Sequence, residues 1–378
     1  MPSHSSGRPR PGMMRNPAHA VAMSAPAASS LLAYCRPGFE GECAQELAGL
    51  DARLSGAGYA RAAKGSGFVE FVTPDAAALA GDWRNLVFAR QLLDVLGSAR
   101  ELPAKDRLGV LLPIIETEHP LHGRRSWCDA WVEAPDSDAA RELAPLCRAL
   151  NAALVGTLKK RQLIDRTSRW RLHVCLTATD AAYVAAADIA KTAPWPGGIP
   201  RLKFPRAAPS RSTLKLEEAL LVLLDESERE RWLKPGMRAV DLGASPGGWT
   251  WQLVARSLHV TAVDNGPMDG ALLASGLVDH LRADGFRYRP QKPVDWLVCD
   301  MVEQPRRVAA LMADWLASGQ CRHAIFNLKL PMKKRHDEVQ MCLTLVADAI
   351  AAAGKRGELR ARQLYHDREE ITVFARTS

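Results

Sequence analysis

The sequence lacks any apolar stretch of the roughly eighteen residues that a membrane-spanning helix needs. Its eight cysteines form no Cys-x-x-Cys pair and no zinc-ligand spacing, so we expect reduced thiols of a cytoplasmic protein that binds no metal. No acidic residue precedes Glu40, and the first thirty residues are rich in Ser, Pro, Ala and Arg. This composition favours a disordered tail, although a transit peptide has a similar one.

The chain is long and basic. Its 378 residues, 47% of them hydrophobic, suffice for two or three domain cores, and its net charge of +8 favours an anionic partner. Two basic clusters stand out. The first basic cluster comprises Lys159, Lys160, Arg161, Arg166, Arg169 and Arg171, and the second comprises Arg201, Lys203, Arg206, Arg211 and Lys215. Such clusters supply salt-dependent contacts to a nucleic-acid backbone, although solvated helix faces have the same composition.

A glycine turn between a strand and a helix carries the strongest signal. Residues 240–249 read V-D-L-G-A-S-P-G-G-W, after a predicted strand at 237–242 and before a predicted helix at 250–256. The glycines let the backbone approach a ligand closely, and Pro246 suits a first helical turn. The turn therefore indicates an adenosine-bearing cofactor.

The residues around this turn discriminate between cofactors. A dinucleotide motif, G-x-G-x-x-G, needs glycine where the chain has Ser245, which argues against NAD. A second predicted strand, 258–263, ends in Asp264, whose carboxylate can accept both ribose hydroxyls. Asp284 follows another predicted strand and is placed to meet the adenine edge. This order is the S-adenosylmethionine pattern, although an ordinary strand-turn-helix crossing with solvated carboxylates would look similar.

Residues from about 205 to 378 resemble the 2′-O-ribose RNA methyltransferases of the FtsJ type, which share a Lys-Asp-Lys-Glu tetrad. The candidates here are Lys215, Asp300, Lys329 and Glu370. With the segments 263–268 and 362–370, the chain is also similar to bacterial enzymes that methylate a ribose of large-subunit rRNA. The resemblance implies S-adenosylmethionine as cofactor and a cytidine ribose in the peptidyl-transferase region of 23S rRNA as substrate.

We assign ten residues to cofactor binding, and we expect a monomer that binds 23S rRNA. The ten are Ser212, Asp241, Gly243, Ser245, Pro246, Gly247, Gly248, Asp264, Asp284 and Asp300.

The four tetrad residues suit the activation of a hydroxyl group. A ribose hydroxyl is a poor nucleophile until a positioned base removes its proton. Lys329 is the predicted base, and we expect partial burial and the nearby ammonium of Lys215 to lower its pKa. Asp300 would orient the lysine and lie near the methyl donor, and Glu370 would orient Lys215 or the attacking hydroxyl.

The predicted fold class is α/β, with α+β units before a Rossmann-like methyltransferase domain at residues 210–378. Residues 31–100 are predicted to form a ferredoxin-like unit. Residues 105–192 are predicted to form a second α+β unit, to which the resemblance gives the THUMP type. A Pro- and Gly-rich linker at 193–209 would act as a short stiff hinge between these units and the transferase.

Two other functions are open to the sequence. A base methyltransferase would need an Asn/Asp-Pro-Pro-aromatic clamp or a nucleophilic Pro-Cys, but residues 299–302 read C-D-M-V and no Pro-Cys occurs in the chain. A non-catalytic RNA-binding protein could retain the same fold. Candidates at all four tetrad positions argue against the loss of catalytic activity. An assay of methyl transfer distinguishes an enzyme from such a binding protein.

Overall fold

The structure is a computed structural model that describes residues 29–79, 81–117 and 126–378. Most of the predicted tail, residues 1–30, lies outside the described residues, although Ser29 and Ser30 already belong to a strand. None of the described helices combines the length and apolar character that a membrane crossing requires. All eight cysteines are free, and no group of three or more potential metal ligands is gathered within the described ranges.

The front half of the chain forms one seven-stranded sheet with helices. In β1, Leu31 and Ala33 face α1 while Leu32 and Tyr34 face the opposite side, as the two-residue period of a strand requires. The elements are β1 (Ser29–Tyr34), α1 (Glu40–Arg53), β2 (Tyr59–Arg61), β3 (Phe68–Thr73), α2 (Ala76–Leu79), β4 (Gln91–Ala99), α3 (Arg107–Glu116), β5 (Asp129–Glu133), α4 (Asp138–Arg141), α5 (Ala144–Lys160), β6 (Trp170–Ala178) and β7 (Ala181–Asp188).

This front sheet is continuous across the two units predicted from the sequence. Its strand order is β2-β3-β1-β4-β7-β6-β5, and β4 pairs antiparallel with both β1 and β7. The ferredoxin-like unit and the second unit therefore share a single sheet. Local sequence patterns cannot show this, because a strand's hydrophobic alternation does not specify its partner strand.

One predicted helix is broken in two. The sequence predicts a helix over residues 139–157, but the chain forms α4 and α5 with a break at Glu142 and Leu143. Pro145 causes the break, because it has no N–H to donate to the carbonyl of Arg141, four residues earlier.

The second half forms a mostly parallel sheet covered by helices. Its elements are α6 (Thr213–Leu223), α7 (Glu226–Trp232), β8 (Arg238–Leu242), α8 (Gly248–Val254), β9 (His259–Val263), α9 (Gly270–Ala274), β10 (Val278–Leu281), β11 (Val294–Cys299), α10 (Pro305–Ser318), β12 (Cys321–Lys329), α11 (Arg335–Ala352), β13 (Gly357–Arg362) and β14 (Glu370–Thr377). The strand order is β10-β9-β8-β11-β12-β14-β13, with β14 antiparallel to both of its neighbours.

This topology confirms the predicted Rossmann-like domain. The chain runs outward from β8 in one direction through β9 and β10, and in the other through β11 and β12. Ligands bind at such a switch point, beyond the carboxyl ends of the strands. The glycine turn follows β8 and Asp300 follows β11, so both lie at that edge.

The two halves are joined by more than the linker. Phe39, directly before α1, and Cys43 of α1 are buried in the same hydrophobic core as Val339 and Cys342 of α11. The guanidinium of Arg362 in β13 is buried and donates hydrogen bonds to four carbonyl oxygens of the front half, at residues 83, 86, 89 and 90. The linker at 193–209 holds a single 3-10 turn, Pro196–Gly198, and the shared core joins the two halves independently of it.

Candidate active site

The glycine turn after β8 has the tight backbone that the sequence predicts. Gly243 has a φ of +78°, and a Cβ there would lie 2.8 Å from the side chain of Met301. Gly247 has a φ of +117° and precedes α8. A Cβ on Gly248 would lie 2.1 Å from the hydroxyl oxygen of Ser212. Pro246 stands before the helix rather than in its first turn, because α8 begins only at Gly248.

A cleft of about 560 Å³ opens beside this turn at the carboxyl edge of the sheet. Asp264 is fixed in its wall, since its carboxylate accepts the N–H groups of Ser245 at 3.0 Å and Gly266 at 2.7 Å. Asp284 is half-exposed and accepts the N–H of Phe286 at 2.9 Å. Of the predicted cofactor residues, the cleft is lined by Gly243, Ser245, Asp264, Asp284 and Asp300. The others, Ser212, Asp241, Pro246, Gly247 and Gly248, lie outside its lining.

Asp241 lies buried under the turn with one free oxygen. Its Oδ2 accepts the hydroxyl of Thr250 at 2.6 Å, whereas its Oδ1 has no hydrogen-bond partner among the residues that the structure describes. Burial raises the pKa of Asp241 to about 7, helped by the charge of Asp300. An unpaired buried acceptor beside a glycine-walled, carboxylate-lined cleft fits a polar, positively charged ligand such as the predicted cofactor.

The structure brings the four predicted tetrad residues together. Lys215 lies in α6, Asp300 follows β11, Lys329 ends β12 and Glu370 begins β14. The Nζ of Lys329 is 2.6 Å from Asp300 Oδ1 and is also paired with Glu370 Oε2. The Nζ of Lys215 is 2.5 Å from Glu370 Oε1 and 3.4 Å from Asp300 Oδ2. The tetrad is therefore a closed ring in which each carboxylate bridges both ammonium groups.

This ring corrects one prediction about Lys329. Burial by itself would lower the pKa of Lys329, as expected from the sequence, but the charges of Asp300 and Glu370 outweigh it and raise the pKa above its ordinary value. The expected repulsion between the two ammonium groups is offset, because both carboxylates lie between them. In the free protein the side chain of Lys329 is thus an ammonium donor.

Three residues behind the tetrad were missed by the sequence reasoning. Asn327 donates a hydrogen bond to Asp300, and Thr372 and Asp367 lie behind Asn327. One signal could have identified Asn327: it precedes Lys329 by two residues in β12 and so projects to the same face.

A wide groove of about 1190 Å³ passes over the tetrad between the two halves of the molecule. Lys215, Lys329 and Glu370 line it from the transferase half. The other Arg, Lys, Asp and Glu residues of its lining are Arg36, Lys64, Asp136, Asp138, Arg141, Arg211, Asp367, Arg368 and Glu369. The exposed side chains of Lys64, Arg211 and Arg368 form no ion pair within the described part of the chain, which leaves them available to an anionic partner.

The two basic clusters contribute differently to this groove. The second basic cluster supplies Arg211 and Lys215. The first basic cluster contributes no lining residue, and half of it has partners in the fold. Arg161 pairs with Glu116 at 2.5 Å, Arg169 pairs with Asp188, and Arg171 stacks 3.7 Å above the ring of Trp131. Lys159, Lys160 and Arg166 remain exposed.

Comparison with known proteins gives matches along most of the chain. Family models match at residues 28–93 (RlmM ferredoxin-like domain), 106–188 (Ribosomal RNA large subunit methyltransferase M, N-terminal) and 208–372 (FtsJ-like methyltransferase). Similar curated relatives carry the name Ribosomal RNA large subunit methyltransferase M. The one from Xanthomonas campestris pv. campestris strain B100 is 54% identical, and the one from Xanthomonas oryzae pv. oryzae strain PXO99A is 53% identical. Each alignment covers 92% of this chain and 99% of the relative.

Solved structures align weakly. TrmN from Thermus thermophilus aligns over 93% of this chain and 99% of its own, with 19% identity and a TM-score of 0.33.

Proposed function

The chain belongs to the ribosomal RNA large subunit methyltransferase M family, and from this premise we propose that it methylates the 2′-hydroxyl of a cytidine in the peptidyl-transferase region of 23S rRNA. It is an S-adenosylmethionine-dependent rRNA methyltransferase. The target atom and nucleotide are the proposal. One chain supplies the whole tetrad and cleft, which supports a monomer as the active form. The proposed rRNA substrate places its action in the cytoplasm, where bacterial rRNA is made.

The observation that carries the proposal is the position of Asp300. This residue lines the cofactor cleft and also pairs with Lys215 and Lys329 at the base of the groove. A ribose seated on the two lysines therefore lies next to the methyl donor. When bound, the cofactor supplies an electrophilic methyl group on a positively charged sulfur, and the Asp300 carboxylate is placed to favour that charge.

Lys329 is the proposed general base. Its ammonium must lose a proton before it can accept one from the ribose hydroxyl, and its two ion pairs oppose that loss. The proposal therefore requires the transfer rate to rise with pH as the pKa of Lys329 is approached. Asp300 and Glu370 hold the Lys329 nitrogen in place, while Lys215 balances the charge of both carboxylates.

Ribose methylation of 23S rRNA tests the proposal directly. The rRNA is taken from a bacterial strain that lacks its own family member and carries either this protein or its Lys329→Arg variant, and methylation is mapped by mass spectrometry. We expect the wild-type protein to add one ribose methyl group to a cytidine of the peptidyl-transferase region and the variant to add none. A methyl group on a base, or on another RNA, would contradict the proposal.

A further inference from the structure

Asp300 has a third partner in addition to the two lysines. The Nδ2 of Asn327 lies 2.9 Å from Asp300 Oδ1, the oxygen that also faces Lys329. A carboxylate between two ammonium groups is a hydrogen-bond acceptor, so Asn327 has to present its amide N–H to it. Its carbonyl oxygen consequently points the other way, to the hydroxyl of Thr372 in the paired strand β14, 2.7 Å away.

The orientation of Asn327 fixes the hydrogen of Thr372. A threonine hydroxyl has one hydrogen, and here that hydrogen must go to the carbonyl oxygen of Asn327. The two carboxyl oxygens of Asp367 lie 3.2 Å and 3.0 Å from the same Thr372 oxygen. Since Thr372 has no second hydrogen to give, this contact is a hydrogen bond only if Asp367 donates it.

The surroundings of Asp367 agree with a neutral carboxyl group. The residue is buried, and its Oδ2 accepts the N–H of Leu364 at 3.0 Å. Burial is the largest cause that raises its pKa well above the ordinary value, and the negative charges of Glu370 and Glu218 act in the same direction. The charge of Lys215 opposes them.

We propose that a protonated Asp367 begins a hydrogen-bond chain of fixed direction, from Asp367 through Thr372 and Asn327 to Asp300, which positions Asp300 and thereby Lys329. These three residues are positioning residues, because they act through Asp300. The effect on rate rests on the proposed function, whereas the hydrogen-bond chain is a property of the fold. Because Asp300 lines the cleft and pairs with the two lysines of the groove, a small displacement of its carboxylate would misalign the base and the methyl donor.

Paired substitutions at Thr372 test the link to the reaction. Thr372→Val keeps the shape of the side chain and removes the hydroxyl, whereas Thr372→Ser keeps the hydroxyl. We expect Thr372→Val to lower the single-turnover rate on 23S rRNA on the order of 10- to 100-fold, because misplaced reacting groups slow a reaction by such factors. Thr372→Ser should keep the wild-type rate. Cofactor affinity, measured by calorimetry, should stay at the wild-type value in both. A wild-type rate for Thr372→Val would overturn the positioning role.

Substitutions at Asp367 test the proton. Asp367→Asn offers an N–H to Thr372 and a carbonyl to Leu364, as the protonated acid does, and should keep the wild-type rate. Asp367→Leu can do neither, and its transfer rate should fall by the same factor as that of Thr372→Val. The infrared spectrum of the wild-type protein at neutral pH should contain a protonated-carboxyl band that Asp367→Asn lacks. Absence of that band, or an Asn variant as slow as the Leu variant, would overturn the proposal. An inactive wild-type protein would instead refute the proposed function, and the infrared band would still decide the state of Asp367.

Discussion

The ammonium of Lys329 lies 2.6 Å from the carboxylate of Asp300, and Asp300 in turn lines the cofactor cleft. This single contact links the proposed site of proton transfer to the proposed site of the methyl donor. Glu370 completes the ring from the buried side, with its side chain only 4% exposed. Substitutions of the lysines and of the carboxylates of this ring should therefore have distinct, measurable effects.

Replacement of Lys329 by arginine should abolish methyl transfer while leaving cofactor binding intact. Arginine keeps the positive charge and the pairing with Asp300, but a guanidinium cannot give up its proton in a protein. Removal of a general base typically costs about 10²- to 10⁴-fold in rate. Single-turnover transfer at saturating cofactor and RNA measures the effect, and Lys333→Ala, an exposed lysine after β12, is the control. A near-normal rate for Lys329→Arg would transfer the role of base to Lys215 or to no side chain.

Replacement of Asp264 by alanine should weaken S-adenosylmethionine binding. A good hydrogen bond to a charged group contributes roughly 1.5 to 3 kcal/mol, about 10- to 150-fold in affinity. Because Asp264 also holds the backbone at Ser245 and Gly266, the thermal midpoint should be recorded beside the calorimetric titration. Asp279→Ala, an exposed carboxylate in β10, should bind as the wild type does. Unchanged affinity for Asp264→Ala would place the ribose contact elsewhere.

Removal of the free cations of the groove should weaken RNA binding and its salt dependence together. Each cation that faces a phosphate contributes about 0.7 to 0.9 to the slope of log K against log salt. The triple variant of Lys64, Arg211 and Arg368 to alanine should therefore show a slope smaller by about 2 to 3 units, with cofactor affinity unchanged. Filter binding of rRNA fragments at several salt concentrations measures both quantities. A weaker affinity with an unchanged slope would contradict binding of these cations to phosphates.

Charge reversal at Lys159 and Lys160 tests the first basic cluster in the same assay. Both side chains are exposed and lie outside the groove lining. If the cluster captures RNA, as the sequence predicts, the variant should lose affinity and salt slope as the groove variant does. Wild-type values would identify the cluster as a solvated helix end.

Replacement of Arg362 by methionine should destabilise the whole molecule. The four carbonyl oxygens that Arg362 holds would lose their donors, and nearby Glu46 would lose a cationic neighbour. Loss of one partner of a buried charged network costs roughly 3 to 5 kcal/mol. Guanidinium denaturation measures the free energy of unfolding, and Arg356→Met, at an exposed position, is the control. If Arg362→Met loses no more free energy of unfolding than Arg356→Met, the two halves are held together by their apolar core alone.

Replacement of Asp241 by asparagine should change how stability depends on pH. The pKa of Asp241 is raised in the folded state from 3.8 to about 7, so the unfolded chain loses this proton first. The free energy of unfolding of the wild-type protein therefore falls as pH rises through this window. The variant has no carboxyl group at this position and lacks this contribution to the fall. Free energies of unfolding should shift in favour of the variant between pH 3.8 and about 7. A constant difference between the two proteins would mean that Asp241 is ionised in the fold.

The sequence determined the transferase domain well because its signals are local. The glycine turn, the apolar strands and the polar residues that follow them lie within short segments, and parallel strands bring their carboxyl ends to one edge. Asp300 and Lys329, which both stand at carboxyl ends of strands, could therefore be placed in one site, whereas Lys215 and Glu370 were assigned to it through the family resemblance. The family resemblance named the same four residues.

Tertiary structure alone decided how these residues act on one another. Each lysine of the ring contacts carboxylates and not the other lysine, and this order of charges sets the direction of the pKa shift of Lys329. The spacing of these residues along the chain does not encode that order. The same holds for the single front sheet and for the shared core of the two halves, because strand pairing and burial depend on partners far away in sequence. Local patterns specify which elements form and which side chains leave them, while the electrostatics of the site depends on distances that only the packed fold establishes.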